Sequence, residues 1–183
     1  VTHIDVHSAL QASTALPYHD LVTRRTGAAV RTLIEQQLAG LKDGTVAFLD
    51  FSRIGVLDRS CADEFVAKLM LPLTSDHPSR DGYVVFHGVN EMHLETIESV
   101  LHAHGLALVV QFPDGAAHLV GAVSDTERQL WDLIMRGSCR QVEALADAAG
   151  LSHDDTRALL DSLARRRLVR HHDDSYGPVG TAA

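Results

Sequence analysis

Two short apolar runs, Val46-Ala47-Phe48-Leu49 and Tyr83-Val84-Val85-Phe86, constrain the fold of this chain more than any other feature. Neither alternates with polar residues, so each reads as a strand covered on both faces, as strands inside a parallel sheet are. Helical spacing surrounds them. Val22, Ala29, Val30, Leu33, Leu38 and Leu41 recur near helical spacing along Leu21–Leu41, and Gly44 follows as a stop signal. Ala62, Phe65, Val66, Leu69 and Met70 keep the spacing of one apolar helix face, and Leu94, Ile97 and Leu101 mark another. Thr2–Val6 alternates polar and apolar, as an edge strand does. Leu106–Phe112 and His118–Val120 read as two strands joined at Pro113-Asp114-Gly115. Gln11–Pro17 and Pro72–Gly82 are rich in breakers and read as loops. The order strand, helix, strand, helix, strand, helix, strand predicts an α/β fold, a mostly parallel sheet with helices packed against it.

Beyond Ser124 the pattern becomes helical. Leu130, Leu133 and Ile134 share a face beside Trp131 in Thr126–Met135, with Ser124 or Asp125 as the cap. Val142, Leu145, Ala146 and Ala149 mark a second helix, which Gly150 stops. Ser152 caps a third, with Asp155 three residues on and Leu159, Leu160 and Leu163 as its apolar side. Leu168-Val169-Arg170 and Tyr176–Val179 form a hairpin around Asp173-Asp174-Ser175. The expected division is therefore 1–123 and 124–183, the second unit being small and α+β. No Pro/Gly-rich linker separates the two, so close packing is expected.

Composition excludes several classes. The 183 residues suffice for one large domain or two small ones. Sixteen basic against 24 acidic residues give a net charge of −8, the wrong balance for a protein that coats nucleic acid non-specifically. No apolar run approaches the ~18 residues of a membrane span, and no signal peptide is evident. Cys61 and Cys139 form no metal or redox motif and read as free thiols, so a cytoplasmic protein without a membrane partner is expected. Lys42 and Lys68 are the only lysines beside 14 arginines, a bias typical of high-GC bacterial coding. The 12 histidines share no common spacing.

The block Phe48-Leu49-Asp50-Phe51-Ser52, then Ile54, then Leu57-Asp58-Arg59-Ser60-Cys61-Ala62-Asp63-Glu64-Phe65 resembles the centre of a STAS domain (sulfate transporter and anti-sigma factor antagonist). It is closest to the STAS-like branch, in which the helix after this loop often begins Ser-x-Ala-Asp-Glu. The resemblance extends over residues 1–120, with its specific part in Leu49–Phe65. It implies no enzyme but a protein–protein switch whose partner is a regulatory protein, a kinase or an anti-sigma-like factor. It makes Ser60 the candidate phosphosite and Asp58, Arg59, Cys61 and Asp63 the candidate partner-binding residues. Arg59 stands where the family pattern has a first serine, and Cys61 where it has a glycine. Physics gives Ser60 two compatible readings. It is a natural N-cap, with Asp63 completing a capping box. It is also an exposed hydroxyl at a helix start, where a phosphate would meet a favourable helix dipole. Asp50 is expected to satisfy loop amides, and Arg59 to pair with Asp58 or Asp63.

The run Ala144-Leu145-Ala146, Gly150-Leu151-Ser152, Thr156-Arg157, Leu160, Leu163 and Leu168-Val169-Arg170 resembles the winged helix-turn-helix domains of MarR-like bacterial regulators. That resemblance implies possible DNA contact through the third helix, in which His153 and Arg157 would face base edges, and through Arg165, Arg166, Arg167 and Arg170. The electrostatics oppose it, because Asp154, Asp155, Asp161, Asp173 and Asp174 would face phosphates with the wrong sign. The leading expectation is thus a non-enzymatic bacterial regulator whose STAS-like part binds a partner protein and whose winged helix is a second interaction surface. The alternative is a DNA-binding transcription regulator with the STAS-like part as sensor. No Gly-rich phosphate loop, zincin motif or nucleophile elbow points to an enzyme, and no cofactor or metal is called for. His102 and His104 on a helix, and His171 and His172 on a strand, splay apart. Cys61 near a helix start is a candidate reactive thiol with no base beside it. Oligomeric state is left open.

Overall fold

In the computed structural model, which describes residues 1–14, 19–75, 82–137 and 140–180, five strands form one sheet in chain order. They are β1 (Thr2–Asp5), β2 (Thr45–Asp50), β3 (Gly82–His87), β4 (Ala107–Gln111) and β5 (Ala117–Gly121). The first four are parallel, and β5 returns antiparallel to β4 through the Pro113-Asp114-Gly115 turn. Between β1 and β2 lie α1 (Val6–Thr14) and α2 (Arg24–Ala39). Between β2 and β3 lie α3 (Arg59–Ala62), a π-helical turn (Asp63–Ala67) and α4 (Lys68–Leu73). Helix α5 (Glu91–Ala103) joins β3 to β4. Each parallel step moves to the next strand in the same direction. With one hand of crossover, every connecting helix then lands on the same face.

Alternation along the strands divides the core accordingly. Ala47, Leu49, Val84, Phe86, Leu108 and Val110 point to the connecting helices and pack with Val30, Ile34, Phe65, Leu69, Ile97 and Leu101. Val46, Phe48, Tyr83, Val85, Ala107, Val109 and Leu119 point the other way. That second face is covered by α6 (Asp125–Met135), α7 (Val142–Ala149), α8 (His153–Arg165) and the hairpin β6 (Arg170–His172)–β7 (Ser175–Gly177). Leu130, Trp131, Ile134, Leu160, Leu163, Tyr176 and Val179 share one buried cluster with the strand residues. Trp131 Nε1 donates to the Leu168 carbonyl at 3.0 Å, so even its polar edge is satisfied inside the layer.

Local chemistry sets most boundaries. Ser124 and Glu127 form a reciprocal capping box on α6, and Asn90 and His93 do the same on α5. Ser152 caps α8, and Gly150 in the left-handed region ends α7. Three expectations change. Residues Gln11–Thr14, read as loop, belong to α1, whose first turn is held by Asp5 accepting from the His7 amide at 3.0 Å and the Ser8 hydroxyl at 2.7 Å. Leu21–Thr23 lie outside α2, because Leu21 bridges to Leu57. Pro72 lies within α4 rather than starting a loop. Residues 15–18 and 76–81 of the two expected loops, and Cys139, lie outside the described residues. Among the described residues no helix is long and apolar enough to cross a membrane.

Candidate functional site

The segment that leaves β2 is held from both sides. The Phe51 amide donates to the His87 carbonyl at 2.8 Å, and the Ile54 amide returns to Phe51 at 2.9 Å. Gly88, at φ +67°, makes room for this turn, since a Cβ there would lie 2.6 Å from the Ser52 amide nitrogen. Asp50 Oδ1 accepts from that same Ser52 amide at 2.8 Å, the loop-satisfying role expected of it. Further on, Gly55 donates to His19 at 2.7 Å, Leu21 to Val56 at 2.7 Å and Asp58 to Leu21 at 2.9 Å. On the other flank the buried His93 imidazole bonds the Gly55 carbonyl through Nε2 at 2.9 Å. The loop is therefore held by backbone bonds on both flanks.

Asp58, not Ser60, is the cap of the following helix. Its Oδ1 accepts the Cys61 amide at 2.6 Å and the Ser60 hydroxyl at 2.9 Å, and its Oδ2 accepts the Thr23 amide at 3.4 Å. Burial works to raise the Asp58 carboxyl, but the Cys61 amide and the Ser60 hydroxyl outweigh it and hold the group below its ordinary value. Ser60 is a half-buried donor inside the first turn. Thr23, the residue bound by Oδ2, sits at φ 77°, ψ 144°, a conformation that a β-branched side chain rarely adopts. It caps α2 through its own hydroxyl, which accepts from Thr26 at 3.3 Å. Asp58 thus joins the starts of two helices.

Asp63 does not close a capping box. It pairs with Arg24 at 2.7 Å and with His104 at 2.7 Å, and those hydrogen bonds hold its carboxyl below its ordinary value. Arg59, expected to pair with Asp58 or Asp63, is exposed, with Arg24 in its place on Asp63. Cys61 is fully buried, and Gly27 of α2 lies so close that an added Cβ would sit 2.7 Å from the Cys61 carbonyl oxygen. Burial, reinforced by Asp58 and Glu64, pushes the thiol up to about 12. The thiol is a packing group, protonated and inaccessible, rather than a nucleophile or a contact surface. The outward-facing residues are Ser52, Arg53, Gly55, Val56 and Arg59. Val56 is 45% exposed, and on the segments that brace the loop Val22 is 40% and Met92 70% exposed. Val22 follows Leu21, the partner of Val56, and Met92 precedes His93, the partner of Gly55.

Two features of this region escaped the sequence. Arg53 reaches Asp5 at 3.0 Å, linking the loop to the end of β1. Glu64, only 8% exposed, is ringed by Arg31 at 3.3 Å, Lys68 at 2.5 Å and Arg24 at 3.8 Å. The Glu64–Lys68 spacing is the only sequence signal for either, because the other partners lie far away along the chain.

The second candidate surface is less concentrated than its sequence suggests. His153 and Arg157 are exposed on α8, and His153 bonds Glu143 at 3.2 Å. Asp154 and Asp155 are exposed beside them, and Asp161 accepts the Tyr176 hydroxyl at 2.7 Å. The four arginines diverge. Arg165 is exposed. Arg166 turns inward to Glu127 at 3.1 Å and to the Ala122 carbonyl. Arg167 and Arg170 lie 5.8 Å and 5.4 Å from the Tyr83 ring centre. His171 stacks on Tyr176, whereas His172 pairs with Asp173. Among the described residues no cluster of three His, Cys, Asp or Glu side chains is arranged to hold a metal ion. No protein-family model matches the chain, and no curated protein is significantly similar to it.

Proposed function

We propose that this chain is a non-enzymatic regulatory protein, STAS-like in its first part and winged-helix-like in its second, that docks a partner polypeptide on the loop between Ser52 and Ser60. The observation that carries the reading is the loop itself. Its backbone is braced by the 19–23 segment, His87 and His93, yet it presents Val56, Val22 and Met92 to solvent beside Arg53 and Arg59. Exposed apolar side chains and arginines on a braced backbone are of the kind that protein interfaces use as anchors. Ser60 gives that surface a control point. A phosphate there would carry about −1.5 to −2 charge against the Asp58 carboxylate, which now accepts the Ser60 hydroxyl. The repulsion would pull Asp58 from the Cys61 and Thr23 amides and loosen the starts of both helices.

A photo-crosslinking residue at Val56 tests this in cells. The expected result is a defined protein adduct that is lost with Arg59→Glu and altered with Ser60→Asp. The competing reading is a DNA-binding regulator, favoured by the exposed Arg157 and Arg165 on α8. Duplex binding that falls steeply with salt and weakens in Arg157→Ala, with no protein adduct at Val56, would establish it instead.

A further inference from the structure

We propose that the cleft at the base of the β6–β7 hairpin is a binding site for a small phosphate-bearing anion of nucleotide size. The cleft is open to solvent and has a volume of about 430 Å³, comparable to that of small-molecule sites. Val1, His172, Ser175 and Pro178 line it beside the cations Arg140 and Arg170, over the buried Tyr176. Among the described residues that line it there is no Asp or Glu, in a chain whose net charge is −8.

The two arginines are fixed to one scaffold. The Arg140 carbonyl accepts the Tyr176 amide at 2.8 Å, and Gln141 bridges to Ser175, so the approach to α7 is tied to the hairpin. The Arg170 guanidinium lies 5.4 Å from the centre of the Tyr83 ring. Stacking of this kind orients a guanidinium without neutralising it, and leaves its N–H fork for an oxyanion. Phosphate matches that fork in a bidentate manner. A free nucleotide suits the surroundings better than a nucleic-acid strand. A small ligand meets one nearby carboxylate, Asp173, paired with His172 at 2.9 Å, whereas a long polyanion would also meet the exposed Asp174, Asp154 and Asp155.

Calorimetric titration of the full chain with adenosine monophosphate, adenosine and a short DNA duplex tests the assignment. Saturable binding of the nucleotide, with none of adenosine, is expected. Arg140→Gln and Arg170→Gln should each weaken it roughly tenfold or more, while Arg136→Gln, outside the cleft, leaves it unchanged. Melting curves establish that the variants fold. The solvent-facing Arg140→Gln carries the test if Arg170→Gln disturbs the Tyr83 packing. No saturable nucleotide binding, equal binding of adenosine, equal loss in all three variants, or tighter binding of the duplex through Arg140 and Arg170 would each overturn the proposal.

Discussion

The face of the sheet that carries Ala47, Leu49, Val84 and Phe86 is covered by helices that alternate with the strands in sequence. The face that carries Val46, Phe48, Tyr83 and Val85 is covered by one contiguous stretch after Ser124. The first arrangement brings helices and loops from several crossovers together, and Asp58, Asp63, Glu64 and the buried His7 and His93 all lie on those connections. The second seals a surface, and its polar contacts, Arg166 to Glu127 and Trp131 to the Leu168 carbonyl, serve to lock that seal. One face carries ionisable contacts among its connecting helices. The other makes the sheet depend on residues distant in sequence.

The sharpest way to break this contrast is to remove residues 124–183. The remaining fragment would expose Phe48, Val85, Val109 and Leu119, and it is expected to aggregate or to melt without a cooperative transition. A fragment with native circular dichroism and a cooperative melt would show that the second face needs no cover. Within the intact chain, Trp131→Ala should cost about 3–5 kcal/mol in urea denaturation, the usual range for a large buried aromatic. A loss below about 1 kcal/mol would mean that the layer is loosely seated. On the other face, Asp58→Ala should cost about 1 kcal/mol as a lost helix cap. Its mark beyond stability is faster amide exchange at both Cys61 and Thr23, and exchange unchanged at Thr23 would separate the two helix starts.

The smallest effect concerns His7. Its imidazole is fully buried, stacked at 4.7 Å on His19, with neither ring nitrogen hydrogen-bonded among the described residues. Burial, with Arg53 and His19 nearby, holds it below its ordinary value of 6.5. As pH falls the unfolded chain takes up this proton first. Its contribution is therefore complete above pH 6.5 and declines as pH drops from there through the folded value. His7→Phe should flatten that stretch of the stability curve, and an unchanged slope would point to another group.

The strands were legible because their apolar runs are dense and need no partner to be recognised. Alternation within Val46–Leu49 even contains the division between the two faces, although it does not say what covers each. Helix α1 was hidden because its cap, Asp5, lies inside the strand pattern Thr2–Val6 and its exposed side is rich in small polar residues. At Asp58 and Ser60 two good cap residues stand two positions apart. Only the long-range pairing of Leu21 with Val56 and Asp58 decides which one starts the helix. The arginines near the end of α8 part company for a different reason. The chain reverses at Arg167, φ 60°, so neighbours in sequence point to different surroundings.

The wide turn at Asp63–Ala67 carries a consequence of its own. A π turn holds one residue more than the α-helix around it, and each residue of a helix accounts for about 100° of rotation. Deleting a single position there would let the segment close into a regular helix whose flanks keep nearly their present phase, because the wide turn already absorbs the surplus residue. Asp58 at one end and Leu69 and Met70 at the other would hold their sides, and the change would fall on Asp63 and Glu64 and their partners. A homologue one amino acid shorter here would therefore aim the loop the same way while losing the outward swelling that carries those two carboxylates.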